Sequence, residues 1–206
     1  MKIQTPDAAT VDYYERNHKA YDAFSSLIDM SSQRNRFLSY IPGDGIILDL
    51  GCGSGRDLVY FLKSGFRAEG MDPSPTMAQL ASQRSGVRVF TQAAEQINIV
   101  EAYNGIWASA SLLHIPKSRF RSVFAKVMAA LREGGCLYMS LKEGVGEVRD
   151  EGGRYYSLYQ IAELEAVISQ TSQAKLSEFW FSADDAGRSG TRWLNLLVCK
   201  QHNDLA

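Results

Sequence analysis

The stretch Ile46 to Asp57, reading IILDLGCGSGRD, constrains this chain more than any other. Ile46, Ile47, Leu48 and Leu50, broken only by Asp49, have the length and apolar character of a short buried strand. Gly51, Gly53 and Gly55 follow at alternate positions, and Leu58, Val59, Phe61 and Leu62 then resume at helical spacing. A strand ends, the backbone turns sharply, and a helix begins. Glycine suits a turn that needs positive φ, or a backbone on which a ligand lies. The unpaired amides that open the next helix point at such a ligand.

The spacing narrows what that ligand is. A dinucleotide fingerprint runs G-x-G-x-x-G, whereas here the third glycine comes one residue early and Arg56 stands where the fingerprint wants glycine. No G-x-x-x-x-G-K-[ST] is present, so the loop is not a P-loop. The pattern is Asp-x-Gly-x-Gly-x-Gly, and on it the chain resembles the class I S-adenosylmethionine-dependent methyltransferases. That resemblance implies a doubly wound, Rossmann-like α/β fold. Its seven-stranded sheet would be mostly parallel with an antiparallel last strand, and helices would cover both faces. It also implies S-adenosylmethionine as cofactor. Asp49, Gly51, Gly53, Gly55 and Arg56 would form the loop facing its amino-acid end. The competing reading is a glycine turn that only packs.

Arg67 to Met71 read as a second strand, ending in Asp72 and Pro73-Ser74-Pro75. An acid at that strand end, one strand-turn-helix-strand unit beyond Asp49, has the placement for gripping ribose hydroxyls. An ionised carboxylate accepts both hydroxyl protons at once. Asp before Pro-Ser is equally good cap chemistry for the following helix. By the resemblance, Asp72 binds the cofactor's ribose and Met71 touches its adenine. A third strand, Val87 to Thr91, leads to Gln92 and Ala93. The family usually has Asp opening this segment; Ala93 leaves adenine recognition to the backbone at Ala94 and to Glu95 or Gln92.

Tyr103 to Ser109 read as the fourth strand, followed by a loop through His114 and a helix from Lys117 to Leu131. The resembled family places polar residues or histidine here, near the transferred methyl, and the pattern is similar to its tellurite-resistance and thiopurine branch. Ser109 is thus assigned to the cofactor side. His114, with an ordinary pKa of about 6.5, is the candidate general base, against the alternative that it only hydrogen-bonds its loop. The basic residues Lys117, Arg119, Arg121, Lys126 and Arg132 read as the solvated face of the helix. After a fifth strand, Cys136 to Leu141, residues 142–156 are polar and glycine-rich. A long loop leaving the carboxyl end of a central strand is a candidate lid, with Glu143, Arg149, Asp150, Tyr155 and Tyr156 as substrate contacts. A helix over 158–170 and strands over 175–182 and 191–200, joined by a polar loop over 183–190, complete the core.

The core spans residues 43–200 of a single domain. Residues 1–42 form a helical cap, with one helix starting at Pro6-Asp7 and a second over 31–40. Val11, Tyr14, His18 and Tyr21 share a face of the first helix, and Tyr13, Tyr14 and Tyr21 are candidate pocket walls.

The chain has 206 residues, 45% of them hydrophobic, and a formal net charge of −1. That suits one α/β domain and gives no push toward nucleic acid or an anionic membrane. Cys52, Cys136 and Cys199 are far apart in sequence, form no C-x-x-C pair, and predict neither a disulfide framework nor a metal site. No signal peptide or membrane-length apolar run is evident, so a cytoplasmic protein is expected, monomeric or homodimeric. The lack of a triad or paired carboxylates fits a sulfonium donor, whose methyl group is already activated. The expectation is methyl transfer to a small molecule. Its rivals are a methyltransferase for RNA or protein, a nicotinamide- or nucleotide-binding oxidoreductase, and a cofactor sensor without turnover.

Overall fold

The computed structural model describes residues 5–184 and 190–202. At its centre is β1 (Ile46–Leu50), paired in parallel with β2 (Arg67–Asp72) on one side and β4 (Tyr103–Ala108) on the other. With β3 (Val89–Thr91), β5 (Leu131–Lys142), β8 (Ala174–Ala183) and β9 (Arg192–Lys200) they form one seven-stranded sheet in the order β3-β2-β1-β4-β5-β9-β8. Only β9 runs against its neighbours, pairing antiparallel with both β5 and β8. The expected doubly wound sheet is therefore what forms. The chain winds outward from β1 to β3 and then returns to β4 on the other side of β1. Loops after β1 and β4 consequently diverge, and a crevice opens at the carboxyl edge between them.

Alternation along the central strands sends side chains to two cores. One face holds Ile47, Trp107 and Tyr138 against Phe37 of α2 (Ser31–Leu38) and Leu58 and Phe61 of α3 (Arg56–Lys63). Trp107 and Tyr138 are register partners across β4 and β5, and their rings stack with centroids 3.9 Å apart. The other face holds Leu48, Leu50, Ile106, Leu137 and Met139. They pack against Phe120, Val123, Phe124 and Val127 of α5 (Lys117–Ala130) and Leu164 and Ile168 of α6 (Ile161–Ser169). The helix α4 (Pro75–Ser85) follows β2, and α1 (Ala8–Ser25) lies over the carboxyl edge. Asp7 starts α1 by accepting the Thr10 amide at 2.9 Å.

Two expectations shift. Residues 142–156 are not a plain loop: β6 (Glu147–Arg149) and β7 (Tyr155–Ser157) pair as an antiparallel ribbon. Val148 and Tyr156, its central register partners, are set among charged residues and glycines that read as a loop. The helix expected over 158–170 begins at Ile161. Before it, the Leu158 and Tyr159 amides donate to the Gly146 and Lys142 carbonyls, which holds the chain extended. Cys136 and Cys199, far apart in sequence, are register partners on β5 and β9, and the Cys199 thiol donates to Cys136 Sγ at 2.6 Å. Of the polar loop expected over 183–190, residues 185–189 lie outside the described residues. No described helix is long and apolar enough to cross a membrane.

Candidate active site

The glycine loop leaves β1 and enters α3. Gly51, Gly53 and Gly55 all have positive φ, at 76°, 54° and 86°. Two of them are also pressed by neighbours. A Cβ on Gly51 would meet the Ser111 Cβ at 2.3 Å, and one on Gly55 would meet the Ala81 Cα at 2.9 Å. Gly53 differs: its nearest neighbour would be the Tyr21 ring at 3.6 Å. Gly51 and Gly55 therefore let packed elements approach, whereas Gly53 leaves its backbone open toward a cavity.

The loop is tied to the end of β2. The Met71 carbonyl accepts the amides of Gly51 at 2.7 Å and Cys52 at 3.1 Å. Asp72 accepts the Gly53 amide on Oδ2 and the Ser74 amide on Oδ1, each at 2.9 Å. It thus caps locally and fastens the glycine loop, with lone pairs left on both oxygens. Burial pushes its pKa up to about 6, and the two amides oppose that rise. Asp49 is 2% exposed, and its Oδ2 has no hydrogen-bond partner. Burial, reinforced by the charge of Asp57, pushes its carboxyl well above the usual range.

Arg56 is engaged elsewhere. It donates through Nε and a terminal nitrogen to Asp57, at 3.0 and 2.8 Å, and to the Ser25 carbonyl at 2.7 Å. Arg34 approaches Asp57 from α2, and Trp107 Nε1 donates to it at 3.0 Å. Burial alone would raise the Asp57 pKa, but Arg56 and Arg34 outweigh it and hold the carboxyl low. The cluster joins α1, α2, α3 and β4 beneath the site.

The α1 helix roofs the crevice. Glu15 accepts the Thr76 amide at 3.0 Å and the Thr76 hydroxyl at 2.6 Å. Asp22 pairs with Arg84 at 2.7 Å and accepts the Ser54 hydroxyl. At the other end Asp7 pairs with Arg149 at 2.6 Å, and Thr10 Oγ1 accepts the Tyr155 amide at 2.9 Å. Two cavities lie beneath. A narrow one, about 100 Å³, runs past Gly51, Gly53, Asp72, Met77 and Glu95. A wider chamber of about 360 Å³ is walled by Tyr13, Tyr138, Tyr156 and Trp193, with Gln33, Ser140, Lys142 and Arg154 between the rings. Tyr14, Tyr21, Ser109, Ala110 and His114 line both, so the two meet there.

His114 is held at both nitrogens. Nδ1 lies 2.6 Å from the Tyr155 carbonyl, which only accepts, so Nδ1 carries the proton. Nε2, 3.1 Å from the Tyr14 hydroxyl, is then the acceptor. Burial pulls the His114 pKa down to about 4, so the ring is neutral near pH 7.

Comparison with known proteins places this geometry. Residues 47–135 match the methyltransferase domain family. A Geobacillus protein, whose name marks its methyltransferase role as inferred, is 27% identical over 129 residues. That match covers 59% of this chain and 50% of the relative, so the chain spans about half the relative's length. The family match takes in less than half of the chain, and over that stretch the chain is similar to methyltransferases. Among solved structures, the 1,6-didemethyltoxoflavin N1-methyltransferase of Burkholderia thailandensis, bound to 1,6-didemethyltoxoflavin and S-adenosylhomocysteine, superposes with a TM-score of 0.78. Its identity is 22%, over 97% of this chain and 94% of that one. A TehB-like methyltransferase from Corynebacterium glutamicum reaches 0.66 at 18% identity, over 95% and 100% of the two chains. The [4+2]-cyclase SpnF reaches 0.70 at 14% identity, over 98% and 99%. The methyltransferase fold thus also supports other chemistry, and the site has to carry the functional argument.

The fold gathers most of the residues singled out in the sequence. Gly51, Gly53, Asp72, Ala94, Glu95, Ser109, His114, Tyr14 and Tyr21 line the narrow cavity. Others lie elsewhere. Met71 is fully buried in the core and lines neither cavity; Met77, on α4, stands in the slot instead. Arg56 faces the chamber rather than the slot. Glu143 pairs with Arg192, and Arg149 with Asp7; neither Glu143 nor Arg149 lines a cavity. Tyr155 contributes its carbonyl to His114 while its ring lies near Arg149, 5.4 Å from ring centroid to guanidinium. The adjacent Arg154 and Tyr156 face the chamber. A strand side chain one residue out of register points to the other face, and the ribbon was invisible to a loop reading. Gln33, Tyr138 and Trp193 were not anticipated, because only the packed sheet and α2 bring them together.

Proposed function

We propose that this chain is an S-adenosylmethionine-dependent methyltransferase that acts on a small-molecule acceptor. The observation that carries this reading is the meeting of a narrow slot and a wide chamber at Tyr14, Tyr21, Ser109, Ala110 and His114. When bound, S-adenosylmethionine supplies a methyl group already activated on positively charged sulfur. The residues present fit it. Asp72 offers free carboxylate lone pairs to ribose hydroxyls, and Gly53 leaves its backbone open. The unpartnered Asp49 Oδ2 and Ser111 Oγ are buried polar atoms that suit a charged, hydrogen-bonding ligand end. The backbone at Ala94, with Met77 and Glu95, lines the adenine side.

The protein's own task is then alignment and exclusion of water. The Tyr14 and Tyr21 rings stand edge to face with centroids 4.9 Å apart and close the junction from above. His114, neutral and oriented by Tyr155, accepts the Tyr14 hydroxyl, whose own lone pairs orient an acceptor's N–H or O–H and relay its proton to His114 Nε2.

An RNA or protein acceptor is less well supported. Lys117 pairs with Glu163, Arg119 donates to the Thr5 carbonyl, Lys126 to the Glu95 carbonyl and Arg132 to the Glu101 carbonyl. These basic residues hold their own protein together. Against a nicotinamide cofactor stands Arg56, locked onto Asp57 where a dinucleotide loop needs glycine. Calorimetry with S-adenosylhomocysteine tests the proposal. Micromolar binding, about −8 kcal/mol, is expected; no binding at millimolar ligand would overturn it. A gel shift with tRNA tests the rival, and salt-sensitive binding would favour it.

A further inference from the structure

The chamber wall carries one carboxamide that the protein leaves unused. Gln33 is 8% exposed and lines the chamber, and among the described residues its side chain has no hydrogen-bond partner. Its position makes this unexpected. Gln33 is the third residue of α2, from which glutamine ordinarily reaches back to the amide of the residue capping the helix. Here the capping residue is Met30, which makes no side-chain cap, and Gln33 does not reach back. An amide that faces a cavity and has no partner inside the protein is free to pair with a guest there.

The surroundings restrict that ligand. Asn195 is already used, accepting the Tyr138 hydroxyl at 2.7 Å and donating to Ser182 and the Trp180 carbonyl. Ser140 accepts the Ala110 amide at 2.8 Å. Asn17 donates to the Tyr13 carbonyl, so among the described residues Gln33 is the carboxamide of the chamber wall with both donor and acceptor unspent, beside the Ser109 and Tyr21 hydroxyls. The remaining wall is largely flat rings: Tyr14, Tyr21, Tyr138, Tyr156 and Trp193. Rings on several sides favour a planar guest, which stacks or meets them edge to face. An amide facing such a guest matches an edge that itself carries adjacent donor and acceptor.

We infer that the acceptor is a planar heteroaromatic ring bearing a lactam or amide edge, and that Gln33 is the side chain that reads that edge. This rests on the proposed methyl-transfer function, whose chamber is the acceptor site. An ammonium ion, an aliphatic thiol or an inorganic oxyanion would leave either the ring walls or the Gln33 donor–acceptor pair unmatched.

The test is a binding measurement on protein saturated with S-adenosylhomocysteine, followed by tyrosine and tryptophan fluorescence. The probes are pteridine-2,4-dione, a fused ring with lactam edges, and quinoline, a fused ring without them. Pteridine-2,4-dione is expected to bind at least tenfold more tightly than quinoline. Gln33→Met, which keeps length and loses both polar atoms, should weaken pteridine-2,4-dione by about tenfold or more and leave quinoline within twofold. Gln33→Glu, which keeps the shape and loses the donor, should also weaken pteridine-2,4-dione, which provides a second variant should the first fold poorly. Equal affinity for the two probes, binding of neither, or an unchanged affinity in both variants would overturn the inference. Failure of the wild-type protein to bind S-adenosylhomocysteine would instead overturn the function on which it rests.

Discussion

The Tyr14 hydroxyl lies 3.1 Å from His114 Nε2, joining the roof helix to the loop after β4. Because Nδ1 donates to the Tyr155 carbonyl, Tyr14 must donate to the lone pair that a proton would otherwise take. Tyr14→Phe removes that competitor. The His114 pKa should rise from about 4 in the variant, followed by NMR of the imidazole C–H signals. Turnover should fall while affinity for S-adenosylhomocysteine stays within a few-fold. An unchanged His114 titration would show that the hydroxyl does not hold the lone pair.

His114 also links stability to pH. Its folded pKa of about 4 lies below the unfolded value of about 6.5. The unfolded chain therefore takes up a proton between those values that the folded chain refuses. Stability present above pH 6.5 is lost as pH falls toward 4. His114→Gln cannot take up that proton. Its urea midpoint should lie below that of the wild type at pH 7, and the gap should narrow on acidification. A gap constant from pH 7 to 4.5 would contradict the buried neutral imidazole.

With Asp72 on the ribose, as proposed, cofactor binding should depend on pH with a definite sign. Its folded pKa is raised to about 6, and only the ionised form accepts two ribose hydroxyls. Affinity for S-adenosylhomocysteine should be level above pH 7 and fall below pH 6, by up to about tenfold per pH unit. Asp72→Ala should remove that dependence and cost about 1–3 kcal/mol of binding at pH 7.5, measured by calorimetry. Full affinity in Asp72→Ala would confine the residue to holding the Gly53 and Ser74 amides.

The glycines of the loop should respond differently to alanine. Gly51→Ala combines positive φ with a 2.3 Å overlap on Ser111 and should destabilise the fold by about 2–5 kcal/mol. Gly53→Ala meets no overlap and should cost about 1–2 kcal/mol of stability, from its positive φ. Its larger effect should be on cofactor affinity, since the added methyl faces the slot. Thermal melts with and without S-adenosylhomocysteine separate the two effects.

Asp57 neutralises two buried arginines, with side-chain exposures of 9% for Arg34 and 21% for Arg56. Asp57→Ala leaves both unpaired and should destabilise the protein by about 3–5 kcal/mol in urea unfolding. A loss under 1 kcal/mol would mean that water reaches the guanidinium groups.

Much of this protein was legible in the sequence because its signals are local. The apolar run before Asp49, the alternate glycines and Asp72 at the end of β2 act over a few residues each. Backbone sterics and short-range hydrogen bonds turn such patterns into strand, loop and helix without knowledge of the rest of the chain. The sheet followed from the order of those elements. What local pattern does not contain is the side on which a side chain lands, and what it meets there. Arg56 follows the glycines like a ligand-binding residue, yet Asp57 and Arg34 were waiting for it in the packed core. Tyr155 and Tyr156 are alike in composition, and the pleat of β7 turned one toward Arg149 and the other into the chamber. Gln33, in an unremarked polar helix, became a chamber wall because α2 packs Phe37 under the sheet. The side proposed for the donor lies mainly on one strand-loop-helix-strand unit, β1 to β2, and is written in sequence. The chamber proposed for the acceptor is assembled from α1, α2, β5, β7 and β9, and only tertiary packing decided it.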